Sequence, residues 1–406
     1  MSAGMGQQLQ QLFGHSRIGR CNSYSQHIFR QQHYCHTAAM GMQYYRCDDP
    51  HCQHQHLQYH SCGNRHYPKC GGLKKEQWIE NLTAQLFPTA YYHIVFTLPH
   101  ELQFIILGNR KAIYDLLFRS ALQALLQFGH DEQYLGASCG ITMVLHIWGQ
   151  QLDFHPHSLP RSSGVHLIVS GGGIREHEWV DAKRKTDSFL FPVNAMRSIC
   201  KGIFLKELRQ LMAGNTLEVT GIDVERMIKE IGFKKWNVYA KAPFGTVATV
   251  VEYLGRYTHK VAITKHSIVS ITEHSVTFTY KDYADKSRKK TMTLSIAEFL
   301  RRFELHFLPR GYVKIRHYGF LQNHGKTRRL NAVRQQMQLQ PLPPKVLVPV
   351  AIRMLEQYGT DISLCPQCKK GHMVLVAIVY PKTELRIQPA ASLRNKDSPT
   401  EQAAAG

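Results

Sequence analysis

Two tyrosines stand four residues apart in the segment Tyr253-Leu254-Gly255-Arg256-Tyr257. On a helix that spacing stacks side chains on one face, so both phenols would point the same way. A tyrosine oxygen attacks phosphorus when a nearby cation polarises a phosphodiester, and two on one face would serve two successive strand transfers. Tyrosines at helical spacing also arise from plain packing, so the pair gains meaning only beside a metal site.

One such site is suggested by Phe154-His155-Pro156-His157, followed by Ser158–Gly164 and then by Val165-His166-Leu167-Ile168-Val169. Alternate side chains of a strand share a face, so His155 and His157 can reach one cation. His166 can join them if Ser158–Gly164 loops out. The glycines at 171–173 admit a backbone or a ligand closely. Glu252, His259 and Asp153 are candidates for a further ligand. Imidazoles suit Mn²⁺ better than Mg²⁺, which prefers oxygen and keeps its waters.

A third constellation is rich in thiols. Of ten cysteines, five lie between Cys35 and Cys70, with His51, His54, His56 and His66 among them. Tetrahedral zinc takes four sulfur or nitrogen ligands from two short knuckles. Here the first knuckle offers Cys47 and Cys52, and the second Cys62, His66 and Cys70. Cys365-Pro366-Gln367-Cys368 is half of a zinc site, with His372 nearby. Cys21, Cys139 and Cys200 are isolated and read as buried or incidental thiols.

Lysine and arginine exceed acidic residues by 21, and the pI is near 9.6. Such an excess suits a polyanion. A membrane partner is disfavoured because no apolar run approaches the length of a bilayer span. The polar, Gln-rich start lacks the apolar stretch of a secretory signal, so a cytoplasmic, nucleoid-associated location is expected. Basic and aromatic residues interleave in Phe233-Lys234-Lys235-Trp236 and in Tyr312-Val313-Lys314-Ile315-Arg316-His317-Tyr318. Cations neutralise phosphates while rings stack on unpaired bases. Lys241, Arg256, Lys314, Arg316 and His317 are accordingly the candidate DNA contacts.

These groups need a scaffold. Residues 1–80 read as a small metal-stapled module with little core of its own. Over 81–340 the pattern alternates strands (Tyr92–Leu98, Ile141–Trp148, Val165–Ser170) with helices (Glu101–Phe128, Val193–Met212, Thr246–Tyr257). A run of short strands follows from Val261 to Leu294, then a helix capped by Ser295. Residues 341–406 read as a Pro-rich linker, the CxxC knuckle and a disordered tail. The fold class expected is α+β.

Taken together, several motifs resemble one family. Asn64-Arg65-His66-Tyr67-Pro68-Lys69-Cys70, Val95-Phe96-Thr97-Leu98-Pro99, His155-Pro156-His157 with Val165-His166, Tyr253–Tyr257 with Thr258-His259, and Arg310-Gly311-Tyr312 with Arg316-His317-Tyr318-Gly319-Phe320 follow in one order. The series is similar to the two-tyrosine HUH transposases of rolling-circle insertion sequences (the IS91 type), over roughly residues 30–325. The resemblance implies an HUH endonuclease domain, an antiparallel sheet flanked by helices, behind an N-terminal zinc module used in DNA recognition. It implies Tyr253 and Tyr257 as nucleophiles and His157, His166 and His155 as holders of Mg²⁺ or Mn²⁺. Zinc would be structural. The reaction implied nicks single-stranded DNA at transposon ends, leaving a 5′-phosphotyrosine and a free 3′-hydroxyl, and rejoins the strand at target DNA. Two departures stand out: Ser158–Gly164 interrupts an otherwise continuous His-Pro-His-Val-His run, and Tyr67 stands where the family carries cysteine. An HUH replication initiator or relaxase, or a DNA-binding relative impaired in catalysis, are the competing readings.

Overall fold

Apolar positions recur at strand or helix spacing through most of the chain, and the elements follow them. The computed structural model describes residues 2–389 except 68–69, 148, 150, 153–163, 184–189, 220, 222, 242, 245, 259–262, 283–284, 345–347 and 381–386, with backbone alone at 2–6, 248, 256–258, 265 and 387–389. The chain opens with helices α1 (Ser2–Leu12) and α2 (Ser23–His33) and strands β1 (Met42–Cys47) and β2 (Gln55–Tyr59). Next come α3 (Gly72–Gln85), β3 (Tyr91–Thr97), α4 (Gln103–Gly108), α5 (Arg110–His130), β4 (Ser138–His146), β5 (Gly164–Arg175) and β6 (Glu178–Asp181). They are followed by α6 (Val193–Ala213), α7 (Val224–Phe233), β7 (Val238–Ala240), α8 (Val247–Thr258), β8 (Ile268–Ile271), β9 (Ser275–Asp282) and β10 (Arg288–Ser295). The last elements are α9 (Ile296–Glu304), β11 (Ile315–Tyr318), α10 (Lys326–Gln336), α11 (Val350–Tyr358), β12 (Met373–Val379) and β13 (Ile387–Pro389).

These elements form two units, one of Met1–Cys70 with Pro344–Gly406 and one of Gly71–Pro343. Where the sequence suggests three consecutive stretches, the third folds back with the first. Strand β12 pairs antiparallel with β1, giving the sheet order β13-β12-β1-β2. Its core is small (Leu9, Leu12, Phe13, Ile28, Phe29 and Tyr67 are buried). In the same unit α11 begins directly after Pro349.

In the second unit the main sheet has the order β11-β4-β5-β3-β7, with β6 paired to β5 and every pairing antiparallel. The α+β class with antiparallel sheets is thus observed. Strand alternation divides side chains between two covered faces. Ile94, Phe96, Met143, Leu145, Val165 and Leu167 join the core with residues of α5 and α6. Tyr91, Val144 and Ile168 face the other way, against Val250, Val251 and Leu254 of α8 and Leu82 of α3. A second sheet, β10-β9-β8, packs Phe278 against Phe299 of α9. Ser295 caps that helix as expected, its hydroxyl accepting from the Glu298 N–H at 3.3 Å.

Two local expectations change. The single helix expected over 101–128 breaks at Asn109 into α4 and α5. The Asn109 amide donates to Ile105 O (3.1 Å) and Glu218 O (2.8 Å) and accepts from the Glu218 N–H (2.8 Å). A side chain that serves backbone groups outside its own helix favours a break over continuation. The glycines at 172 and 173 take up the Trp179 ring and the Ser138 backbone, so it is protein that they admit closely.

Candidate active site and thiol sites

The face of the main sheet that carries α8 gathers histidines from three neighbouring strands. On β5, His166 lies opposite Val95 of β3 and Val144 of β4. Two residues along each partner strand, on the same face, stand His93 and His146. Their rings stack against His166 from either side, with centroids 5.3 Å away for His93 and 5.1 Å for His146. Nε2 of His93 lies 3.2 Å from Nδ1 of His166.

Helix α8 delivers Tyr253 to this cluster. Val250, Val251 and Leu254 bury one side of the helix, and Tyr253 follows that stripe at its edge. Its hydroxyl stands 2.7 Å from His93 Nε2 and 2.9 Å from His166 Nδ1. One phenol oxygen therefore bridges two imidazole nitrogens. Burial, helped by His166 and Lys241, pushes the His93 imidazole down to about 3. At neutral pH His93 is therefore uncharged, the form that accepts a proton or ligates a cation. Its Nδ1 is buried without a hydrogen-bond partner. Two nitrogens sharing one cation at about 2.0–2.1 Å stand roughly 3.3 Å apart in a tetrahedron, so the His93–His166 pair has a fitting spacing.

The structure redistributes the residues singled out by sequence. His155, His157 and Asp153 lie outside the described residues, as do His259 and the side chains of Arg256 and Tyr257. Tyr257 itself lies in α8, one turn beyond Tyr253. The place two residues before His166 on the same strand face, where an uninterrupted His-x-His strand would set its first imidazole, is Gly164. A Cβ there would lie 2.5 Å from Phe96 O. Glu252 is exposed on α8. Sequence reasoning missed His93 and His146. The available signal was a single imidazole in each of two mostly apolar strands.

Among the expected DNA contacts, Lys241 is exposed and its N–H donates to His93 O at 3.0 Å, beside the cluster. His317 is on the cluster's face and bonds Thr142 Oγ1 through Nδ1 at 3.0 Å. Lys314 is half-buried, and its carbonyl accepts from the Leu145 N–H at 3.0 Å. Arg316 points to the opposite face, paired with Asp115 and 4.1 Å from the Phe118 ring centroid. Two rings expected to stack on bases are core residues. Trp236 is buried and donates to Ile231 O at 3.0 Å, and Tyr312 is buried edge-on to Tyr114. Phe233 is exposed, as a stacking ring would have to be.

The thiols divide between two groups in the first unit. Cys35, Cys62 and Cys70 form one, with Cys70 Sγ 3.4 Å from Cys35 and 3.6 Å from Cys62. Hydrogen bonds from Cys35 and Cys62 hold the Cys70 thiol well below its ordinary value. A metal ligand needs that thiolate form. Cys47, Cys52, Cys365 and Cys368 form the other group. The five residues expected in one zinc site are therefore split, and His66 belongs to neither group. Tyr67 is fully buried against Phe13.

Known proteins bear on this arrangement. The family model described as "Transposase zinc-binding domain" matches residues 6–98, and the one described as "Putative transposase" matches residues 140–329. The first span contains His93 and the Cys35 group, and the second contains His146, His166 and Tyr253. Together they define the class of protein as a transposase. "Putative transposase y4qJ" of Sinorhizobium fredii is 36% identical over 358 residues, covering 85% of this chain and 87% of that protein. "Transposase for insertion sequence element IS801" of Pseudomonas savastanoi pv. phaseolicola is 28% identical over 379 residues, covering 89% and 86%. The chain belongs to the IS91 family of insertion-sequence transposases. No solved structure matches it. Among the described residues no helix is long and apolar enough to cross a membrane.

Proposed function

We propose that this transposase nicks and rejoins single-stranded DNA at transposon ends through a 5′-phosphotyrosine, as in rolling-circle transposition, with Tyr253 as a nucleophile. The observation that carries the reading is the Tyr253 hydroxyl held between His93 Nε2 and His166 Nδ1. The phenol gives up its proton to solvent as the oxygen attacks phosphorus, because imidazole nitrogens that hold a cation have no lone pair left to accept it. The P–O3′ bond breaks, the 3′-oxygen leaves as a hydroxyl after taking up a proton, and the 5′-phosphate stays on Tyr253. Energy is conserved in that link, so the strand can be rejoined to a target 3′-hydroxyl without ATP. Tyr257, one turn further along α8, would serve the second transfer.

The antiparallel sheet with its histidine strand and flanking helices supports an HUH-type nuclease unit. His93, His166 and His146 would hold a divalent cation, which when bound polarises the scissile phosphate. Lys241 would hold a flanking phosphate beside His93, and the first unit would recognise DNA through its zinc-bound fold.

An oligonucleotide carrying the transposon end, incubated with Mn²⁺ and analysed by denaturing gel, tests this directly. A covalent protein–DNA adduct lost in Tyr253→Phe/Tyr257→Phe is expected. Gly164, in place of a strand-borne imidazole, favours the second reading: a relative that binds transposon ends but has lost cleavage. DNA binding with no adduct in any divalent metal would establish that alternative.

A further inference from the structure

We infer that this transposase binds two zinc ions, the second held by Cys47 and Cys52 of the N-terminal module together with Cys365 and Cys368 of the C-terminal segment. The four Sγ atoms all lie within 4.8 Å of one another. Cys47 is 3.8 Å from Cys368, and Cys52 is 3.7 Å from Cys365. Thiolates bound to one zinc at about 2.3 Å in a tetrahedron stand roughly 3.8 Å apart. A disulfide would bring the same atoms to about 2.05 Å. The separations fit ligands sharing a cation.

The backbone around the four thiols is built for this. The Cys47 N–H donates to His54 O (2.8 Å) and the Cys52 N–H to Asp49 O (3.1 Å), closing one knuckle. The Cys365 N–H donates to Gly371 O (2.8 Å), and the Gly371 N–H donates to Cys368 Sγ (3.3 Å), closing the other. N–H groups aimed at sulfur stabilise a thiolate. A Cβ on Gly371 would lie 2.6 Å from Cys47 Sγ and 2.8 Å from Asp48 Oδ1, so glycine is what lets the second knuckle close on the first. The Asp48 N–H donates to His372 O (3.0 Å) and the His372 N–H to Asp48 Oδ1 (2.6 Å). Cys47 then pairs with Met373 at the start of the β1–β12 ladder.

The zinc-binding family model ends at residue 98 and the other at residue 329, so neither reaches Cys365 or Cys368. The Cys35 group lies wholly within the zinc-binding match, whereas Cys47 and Cys52 supply half a ligand set to it. The other half arrives from a segment distant in sequence, which makes the C-terminal segment a structural part of the first unit. Metal binding here is coupled to holding β12 on β1.

The test is zinc stoichiometry of the full-length protein by plasma mass spectrometry. Two ions per chain are expected in the unaltered protein and one in Cys365→Ser/Cys368→Ser, with Cys139→Ser as a control that keeps both. One zinc in the unaltered protein, or two retained in the double variant, would overturn the inference. A measurement on the unaltered holoprotein guards against misfolding of the variant. Alkylation mapped by mass spectrometry should find Cys47, Cys52, Cys365 and Cys368 protected together and released together as a chelator removes zinc. Free alkylation of Cys365 and Cys368 while both ions remain bound would refute the site.

Discussion

The Tyr253 hydroxyl lies 2.7 Å from Nε2 of His93, a residue 160 positions earlier in the chain. His93 reaches it from β3, the strand beside the one that carries His166. His93→Ala should slow single-turnover cleavage of an end oligonucleotide by about 10²-fold or more, because the cation it would help to hold supplies several kcal/mol of charge stabilisation. Tyr253→Phe should remove its share of the covalent adduct altogether. His93→Ala should also raise the metal concentration needed for half-maximal rate, since it removes a proposed ligand. An unchanged rate and metal response in His93→Ala would mean that the contact only packs.

The donor set predicts a metal preference. Nitrogen ligands favour Mn²⁺ over Mg²⁺, which holds oxygen ligands and its own water. Cleavage across matched concentration series should be faster and saturate earlier with Mn²⁺. Magnesium performing equally well would argue for a carboxylate-dominated site in place of His93, His146 and His166.

How far the site was legible in the sequence depends on how local its signals were. Tyr253 was readable because a four-residue spacing sets a helix face, and His166 because it opens an apolar strand. His93 and His146 were not, because their partnership depends on which strands become neighbours. In a doubly covered sheet every position of β3 is buried, so no polar alternation marks the inner histidine. The thiol sites failed the same way. Cys47 and Cys52 looked like partners of Cys62 and Cys70, since the β1–β12 pairing that brings Cys365 and Cys368 to them spans most of the chain. The resemblance supplied what spacing alone left open, the order of the motifs, and the strand pairing supplied their partners.

Lys241 and Arg316, both basic and both singled out from sequence, should behave differently. Lys241 is exposed beside His93, so Lys241→Ala should weaken binding of single-stranded DNA and reduce the salt slope by about one. Arg316 is paired with Asp115 over the Phe118 ring, largely out of solvent. Arg316→Ala should destabilise the fold by about 1–3 kcal/mol while leaving the salt slope unchanged. Salt titrations of binding by fluorescence anisotropy, alongside denaturant unfolding, separate the two. A reduced slope for Arg316→Ala would return it to the DNA surface.

Gly319 follows β11 with φ of +62°, and a Cβ there would clash with Cys139 O on β4. Left-handed backbone costs a non-glycine residue about 1–2 kcal/mol, and the clash must be relieved by moving one strand off the other. Gly319→Ala should therefore lose more than about 2 kcal/mol of stability and loosen the Phe320 contact with Phe87. Denaturant melts of the two proteins check this, and an unchanged midpoint would contradict the predicted strain.

His306 sets an acid limit on the second unit. Its imidazole is buried and donates from Nε2 to Leu152 O at 3.1 Å, and burial pushes its pKa down to about 4. In the unfolded chain it protonates near 6.5. Between those values the unfolded state binds the extra proton, so stability falls as pH drops from about 6.5 to 4 and is insensitive to this group above 6.5. His306→Gln can keep a donor toward Leu152 without a titrating group. Its stability should be below that of the parent at pH 7, and the difference should narrow by up to about 3 kcal/mol on acidification to pH 4. Urea unfolding of both proteins at half-unit pH steps reads the difference curve, which cancels His317 and the thiol sites common to both. A difference that stays flat across that window would show that His306 is already protonated in the folded protein.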